Sequence, residues 1–295
     1  MRREELTVSV EGRRVHAQLS GAEDGPLVVF NTGSPGSRHL WDEHLEEAAS
    51  RGLRQVCLSR PGVEGSERLP GRSMGDCATD VAAVADVLGA ESFYVVGHSF
   101  GGGAALACAA LLADRVLAAA SLSPLAPRDC PGLDWTGGMG EWNEEEFAAI
   151  EAGGATLEAF VESAFDTYRA IDTTEDLLGL FGDIVCPADR AVLQGSFLDF
   201  QLAGCRRYAS GGSWGWYDDD VALWREWGFD LAAISVPVDI WSGGEDKFVP
   251  AAHAEWLVER IPGARLHHLP AEGHLSLWAK HYGSVLDELL ASGRK

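Results

Sequence analysis

The sequence predicts an α/β fold: a mostly parallel sheet with helices on both faces, interrupted by a helical insert. Three observations carry this. Strand-like and helix-like segments alternate from Leu27 to Leu122 and again from Val236 to Leu290. The strands read as short unbroken apolar runs, such as LVVF at 27–30, which suit strands covered on both faces. Between residues 127 and 233 the pattern changes to acidic clusters, glycine pairs and tryptophans with helical spacing.

The elements follow in order. Residues 6–10 and 14–19 alternate across Glu11-Gly12, a hairpin signal. Leu27–Asn31 is a buried strand, followed by Gly33, Pro35 and Gly36 and a helical stretch over 38–50. A strand at 54–59 ends in Arg60-Pro61-Gly62. A helix over 73–88 follows, with Ser73 and Asp76 placed for capping. Then come a strand at 93–96, a small-residue helix at 104–113 and a strand at Val116–Leu122. After the insert there is a strand at 236–241, a helix at 251–261, a strand at Arg265–Leu269 and a helix at 275–290. The expected organisation is a core of 1–126 and 234–295, with 127–233 as a helical cap.

Composition excludes several classes. The chain has 295 residues, 46% of them hydrophobic and 23% charged, enough apolar material for a core. A net charge of −22 repels phosphate backbones and anionic lipid, so neither nucleic acid nor a membrane is an expected partner. The first twenty residues are charged and alternating, without the apolar region of a signal peptide. The longest apolar stretch, 104–112, is half of the ~20 residues a bilayer span needs. No two of the six cysteines have C-x-x-C spacing. The expectation is a cytoplasmic protein, monomer or homodimer, acting on a small molecule.

Chemistry is carried by Gly97-His98-Ser99-Phe100-Gly101, between an apolar strand and a helix. This is G-x-S-x-G in the strand–turn–helix context it requires. The sharp turn strains the serine backbone, so its neighbours must be small. Free N–H groups at the helix start favour an oxyanion. A glycine-rich linker turn is the competing reading of the same residues.

At this motif the sequence resembles the α/β-hydrolases. Asn31-Thr32-Gly33-Ser34-Pro35-Gly36 is similar to that family's H-G-x-P-G loop. Ser59-Arg60-Pro61-Gly62-Val63-Glu64-Gly65-Ser66 is similar to its D-x-P-G-x-G-x-S turn. Gly243 to Pro250 fits G-x-x-D-x-x-V-P, and Glu272-Gly273-His274 supplies a late histidine. The resemblance implies an α/β-hydrolase fold and the order nucleophile, acid, histidine: Ser99, Asp246 and His274. Glu245 competes with Asp246 for the acid role, but the motif aligns on Asp246. Serine needs an imidazole to take its proton, and the imidazole needs a carboxylate to fix its tautomer. By the same resemblance the oxyanion hole uses the backbone N–H groups of Ser34 and Phe100. The chain departs from the family at Thr32, where a histidine is expected. Relatives that open epoxides or remove halide use an aspartate at the elbow, and Ser99 argues against both reactions.

These residues imply hydrolysis of an ester, thioester, lactone or amide through an acyl-enzyme, with neither cofactor nor metal required. A ligand-binding receptor-type protein, a cofactor-free lyase and an aminopeptidase-like enzyme are the alternatives on the same fold. In the insert, Trp135, Trp142, Trp214, Trp216, Trp224 and Trp227 either build an aromatic pocket or glue the cap to the core. Glu141, Glu144, Glu145 and Glu146 read as first-turn acids behind an Asn143 N-cap, or as an amine-binding cluster. Asp218-Asp219-Asp220 reads as a cap and a solvated face, and His253 as a solvated helix residue. His267 and His268 are expected to pack or to lie at the surface.

Overall fold

The computed structural model describes residues 3–293. β1 (Arg3–Val10) and β2 (Arg13–Gly21) form the hairpin, with Glu11 and Gly12 at positive φ (50° and 83°) in its turn. β3 (Leu27–Asn31), α1 (Asp42–Ser50), β4 (Arg54–Leu58), α2 (Cys77–Val87), β5 (Phe93–His98), α3 (Phe100–Leu111) and β6 (Val116–Leu122) then alternate. The residues between β6 and the next strand contain α4 (Glu141–Ala152), α5 (Gly154–Arg169), α6 (Thr174–Phe181), α7 (Pro187–Val192), α8 (Gly195–Tyr208) and α9 (Trp214–Trp224). β7 (Val238–Gly243), α10 (Ala252–Val258), β8 (Arg265–Leu269) and α11 (His274–Ser292) complete the core.

The eight strands form one sheet in the order β1-β2-β4-β3-β5-β6-β7-β8. The β1–β2 and β2–β4 pairs are antiparallel and the others parallel. The unbroken apolar runs are explained by position. β3 and β5 lie in the middle of the sheet, covered on both faces, and every residue of β5 is buried. β8 is the far edge and is largely exposed, which permits its Arg265, His267 and His268. α11 crosses the sheet with Trp278 and Tyr282 against Phe30, at 6.0 and 5.8 Å between ring centroids. All six cysteines are buried and free. Among the described residues no helix is long and apolar enough to cross a membrane.

Several boundaries move for local reasons. The first helix begins at Asp42 rather than residue 38, because Arg38 is occupied by Glu5, Ser59 and Glu64. α2 begins at Cys77, and the Asp76 carboxylate accepts from the backbone and hydroxyl of Ser73 in the turn before it. α3 begins at Phe100, so Gly101, Gly102 and Gly103 are helical despite their low propensity. Close packing decides this: a Cβ on Gly101 would strike the Asn31 carbonyl oxygen, and one on Gly97 the Gly101 carbonyl oxygen.

Candidate active site

Ser99 stands between β5 and α3 with φ 57° and ψ −123°, a conformation L-residues rarely adopt. The turn is held by its backbone: Ser99 N–H donates to the Leu122 carbonyl at 2.8 Å and Gly102 N–H to the Ser99 carbonyl at 2.8 Å. The hydroxyl is thereby presented at the carboxyl end of the central strand, where open α/β sheets carry their sites.

His274 is the first residue of α11, and its Nδ1 donates to Asp246 Oδ2 at 2.8 Å. The other Asp246 oxygen accepts from Phe248 and Val249 N–H at 2.9 and 2.8 Å. The carboxylate is therefore fixed from the backbone, and a proton on Nδ1 leaves Nε2 as the basic nitrogen. Asp246 and His274 are both buried, and Glu245 is exposed. The Phe248 ring stacks on the imidazole at 4.8 Å. The His98 ring lies 4.4 Å from the same imidazole and donates from Nε2 to the His274 carbonyl at 3.1 Å. Burial, and then the neighbouring His274, push the His98 pKa well below the ordinary imidazole range, so it packs as a neutral ring.

Ser99 and His274 line one cavity of about 160 Å³ with Ser34, Trp142, Phe200 and Trp278 among its walls. Neither Ser34 nor Phe100 donates its backbone N–H to a partner among the described residues. The Ser34 loop is braced unexpectedly. The Arg60 guanidinium donates to the Thr32 carbonyl (2.7 Å), the Thr32 hydroxyl (2.8 Å) and the Gly33 carbonyl (2.8 Å). Thr32, at the family's histidine position, is thus one anchor of an arginine that holds the loop.

Asp219 of α9 ties that arginine to the cap. It accepts from Arg60 Nε at 2.9 Å, from Arg72, and from the Ser34 hydroxyl at 2.6 Å. The expectation of a solvated Asp218-Asp219-Asp220 face is overturned, since all three are buried. Successive helical residues point in different directions, and each found its own environment: Asp218 pairs with Arg68 at 2.5 Å, Asp219 with two arginines, and Asp220 faces Glu146.

Three further expectations are corrected. Gly140, not Asn143, is the N-cap of α4. Asn143 sits inside the first turn, buried, and donates to the Phe248 carbonyl at 2.8 Å. Glu141, Glu144 and Glu145 do lie on the exposed face, but Glu146 turns inward and accepts from Trp216 Nε1 at 2.7 Å. His253 is buried rather than solvated, bonded to Ala126 N and the Trp135 carbonyl; burial pushes its pKa down to about 4. The tryptophans divide between both readings. Trp142 and Trp216 line the cavity, whereas Trp135 and Trp224 pack with Phe147 and His253. His267 pairs with Asp239 and stacks on Trp241, and His268 meets Ser242, both away from the cavity.

Sequence reasoning missed one contact that orders the histidine. Asp189 of α7, wholly buried, accepts from the N–H groups of His274 (3.0 Å), Leu275 (2.9 Å) and Ser276 (2.7 Å). A carboxylate thus caps α11 from outside its own segment. Nothing local marks Asp189, because its partners lie 85–87 residues away.

A family model described as alpha/beta hydrolase fold matches residues 26–156. The chain is 29% identical over 275 residues to the dihydrolipoyllysine-residue acetyltransferase component of the acetoin cleaving system of Cupriavidus necator, covering 92% of this chain and 64% of that one. It is 33% identical over 132 residues to epoxide hydrolase B of Mycobacterium tuberculosis, covering 43% of this chain and 37% of that one. The chain thus spans less than two thirds of the length of either relative. The crystal structure of a bromoperoxidase from Bacillus anthracis superposes with a TM-score of 0.73 at 18% identity, over 98% of this chain and 100% of that one, a likeness of fold.

Proposed function

We propose, from the premise that the chain belongs to the α/β-hydrolase fold superfamily, that it is a serine hydrolase of a small-molecule ester, thioester, lactone or amide. The observation that carries this is the 2.8 Å His274–Asp246 contact on a cavity shared with a strained Ser99. In the reaction, Ser99 Oγ attacks the acyl carbon while His274 Nε2 takes its proton. The tetrahedral oxyanion is met by the Ser34 and Phe100 N–H groups and by the positive end of α3. Collapse breaks the bond to the leaving group, which takes the proton from His274. Water then attacks the acyl-serine, giving its proton to His274, and Ser99 leaves with that proton as the acid is released.

The test is labelling with a fluorophosphonate, read by intact mass. One adduct is expected on the native protein and none on Ser99→Ala. No adduct on folded native protein would refute an activated Ser99 and leave ligand binding as the function.

A further inference from the structure

Two cavities meet at Ser99. The larger, about 160 Å³, contains His274 and an apolar wall of Phe30, Phe181, Phe200 and Trp278. The smaller, about 60 Å³, lacks His274 and is bounded by Phe100, Leu125, Phe147 and Leu223, with Glu146 and Asp220 as its ionisable groups. The chemistry of the triad assigns them. A leaving group must receive its proton from His274, so it occupies the cavity that contains His274. The acyl chain then takes the other, which has room for roughly four water-sized groups.

That small cavity is not simply apolar. Asp220 is 5% exposed, and its Oδ2 is buried without a hydrogen-bond partner. Leaving a buried polar atom unpaired costs about 1–3 kcal/mol, so such an atom on a cavity wall marks a place where a partner is expected. Glu146 lines both cavities and uses Oε1 for Trp216. We propose that Glu146 and Asp220 form a subsite for a hydroxyl on a short acyl chain, making the preferred substrate a hydroxyacyl ester with a larger apolar leaving group. This rests on the hydrolase reading and adds the substrate class to it.

A hydroxyl fits because it donates and accepts together, and the two carboxyl groups offer both functions when they share a proton. Burial pushes both carboxyls up, and repulsion from Glu146 and Asp219 adds to it at Asp220, so the pair retains that proton. An ammonium fits less well, because the Arg72 guanidinium already sits on neighbouring Asp219 and adds positive charge beside the site.

The test compares kcat/KM for p-nitrophenyl 3-hydroxybutyrate and p-nitrophenyl butyrate. We expect a preference of about tenfold or more for the hydroxy ester, as one bidentate hydrogen-bonded group is worth ~1.4 kcal/mol or above. The ratio should fall to near one in Asp220→Leu and Glu146→Leu, and largely survive in Asp220→Asn, which keeps a donor. Each ratio is internal to one protein, so partial misfolding cancels. Ligand-observed NMR of methyl 3-hydroxybutyrate and methyl butyrate on Ser99→Ala reads the subsite without chemistry. A native ratio near one, a ratio that survives both leucine variants, a faster 3-aminobutyrate ester, or equal binding of the two methyl esters would overturn the proposal. Absence of the fluorophosphonate adduct would instead refute the hydrolase reading, and the NMR preference would then decide the subsite by itself.

Discussion

Asp219 sits wholly out of solvent between two arginines and the Ser34 hydroxyl. A buried charge is tolerable only when fully paired, and removing one partner leaves the others uncompensated. Asp219→Asn is expected to lower unfolding free energy by about 3–5 kcal/mol, read from urea denaturation. It should also lower turnover by up to about 100-fold, since Arg60 then loses the anion that fixes its grip on Thr32 and Gly33. Unchanged stability would mean that the cluster is not formed in solution. Glu146 gives a pH signature. Burial raises its pKa from the ordinary 4.5 to about 7, so the folded chain holds a proton that the unfolded chain releases earlier. Stability therefore declines as pH climbs from about 4.5 to about 7 and levels off above. Glu146→Gln makes that decline shallower, leaving only the share of Asp220, whose carboxyl burial also pushes up. Urea midpoints at about pH 5 and about pH 7.5 check it, and parallel trends in the two proteins would count against it.

At the scale of elements, the site is held from the cap as much as from the sheet. α7 reaches the first turn of α11 through Asp189, and α4 reaches Phe248 through Asn143. Phe248 in turn stacks on His274. A carboxylate at a helix N-terminus satisfies orphan N–H groups and complements the dipole, worth about 1–2 kcal/mol. Asp189→Asn presents one acceptor oxygen where three N–H groups need two. The expected result is a loss of about 1–2 kcal/mol in stability with kcat lowered about tenfold and KM nearly unchanged, because the histidine is misplaced rather than the substrate. A rise in KM with kcat intact would show that Asp189 contributes to binding instead. The strands were the most legible elements, since burial on both faces writes an apolar run into the sequence. The start of α3 was not, because its glycines read as turn until the contacts of Gly101 with Asn31 and of Gly102 with Ser121 and Pro124 show why no larger residue fits at those two positions.

At the scale of the molecule, the sequence by itself determined the alternation of strand and helix and the strand-free segment between β6 and β7, and it singled out Ser99, Asp246 and His274 as the candidate site. It could do so because backbone geometry imposes short-range patterns: period two or unbroken runs for strands, small residues around a strained elbow, a fixed spacing before a loop carboxylate. The tertiary structure alone decided which acids are buried. Asp219, Asp220 and Glu146 read as helix acids facing water in sequence and nothing local marks Asp189, yet distant chain segments bury Asp189, Asp219 and Asp220 and turn Glu146 onto Trp216. The cost of burying a carboxylate depends on partners, and those partners are set by long-range packing that no local spacing records.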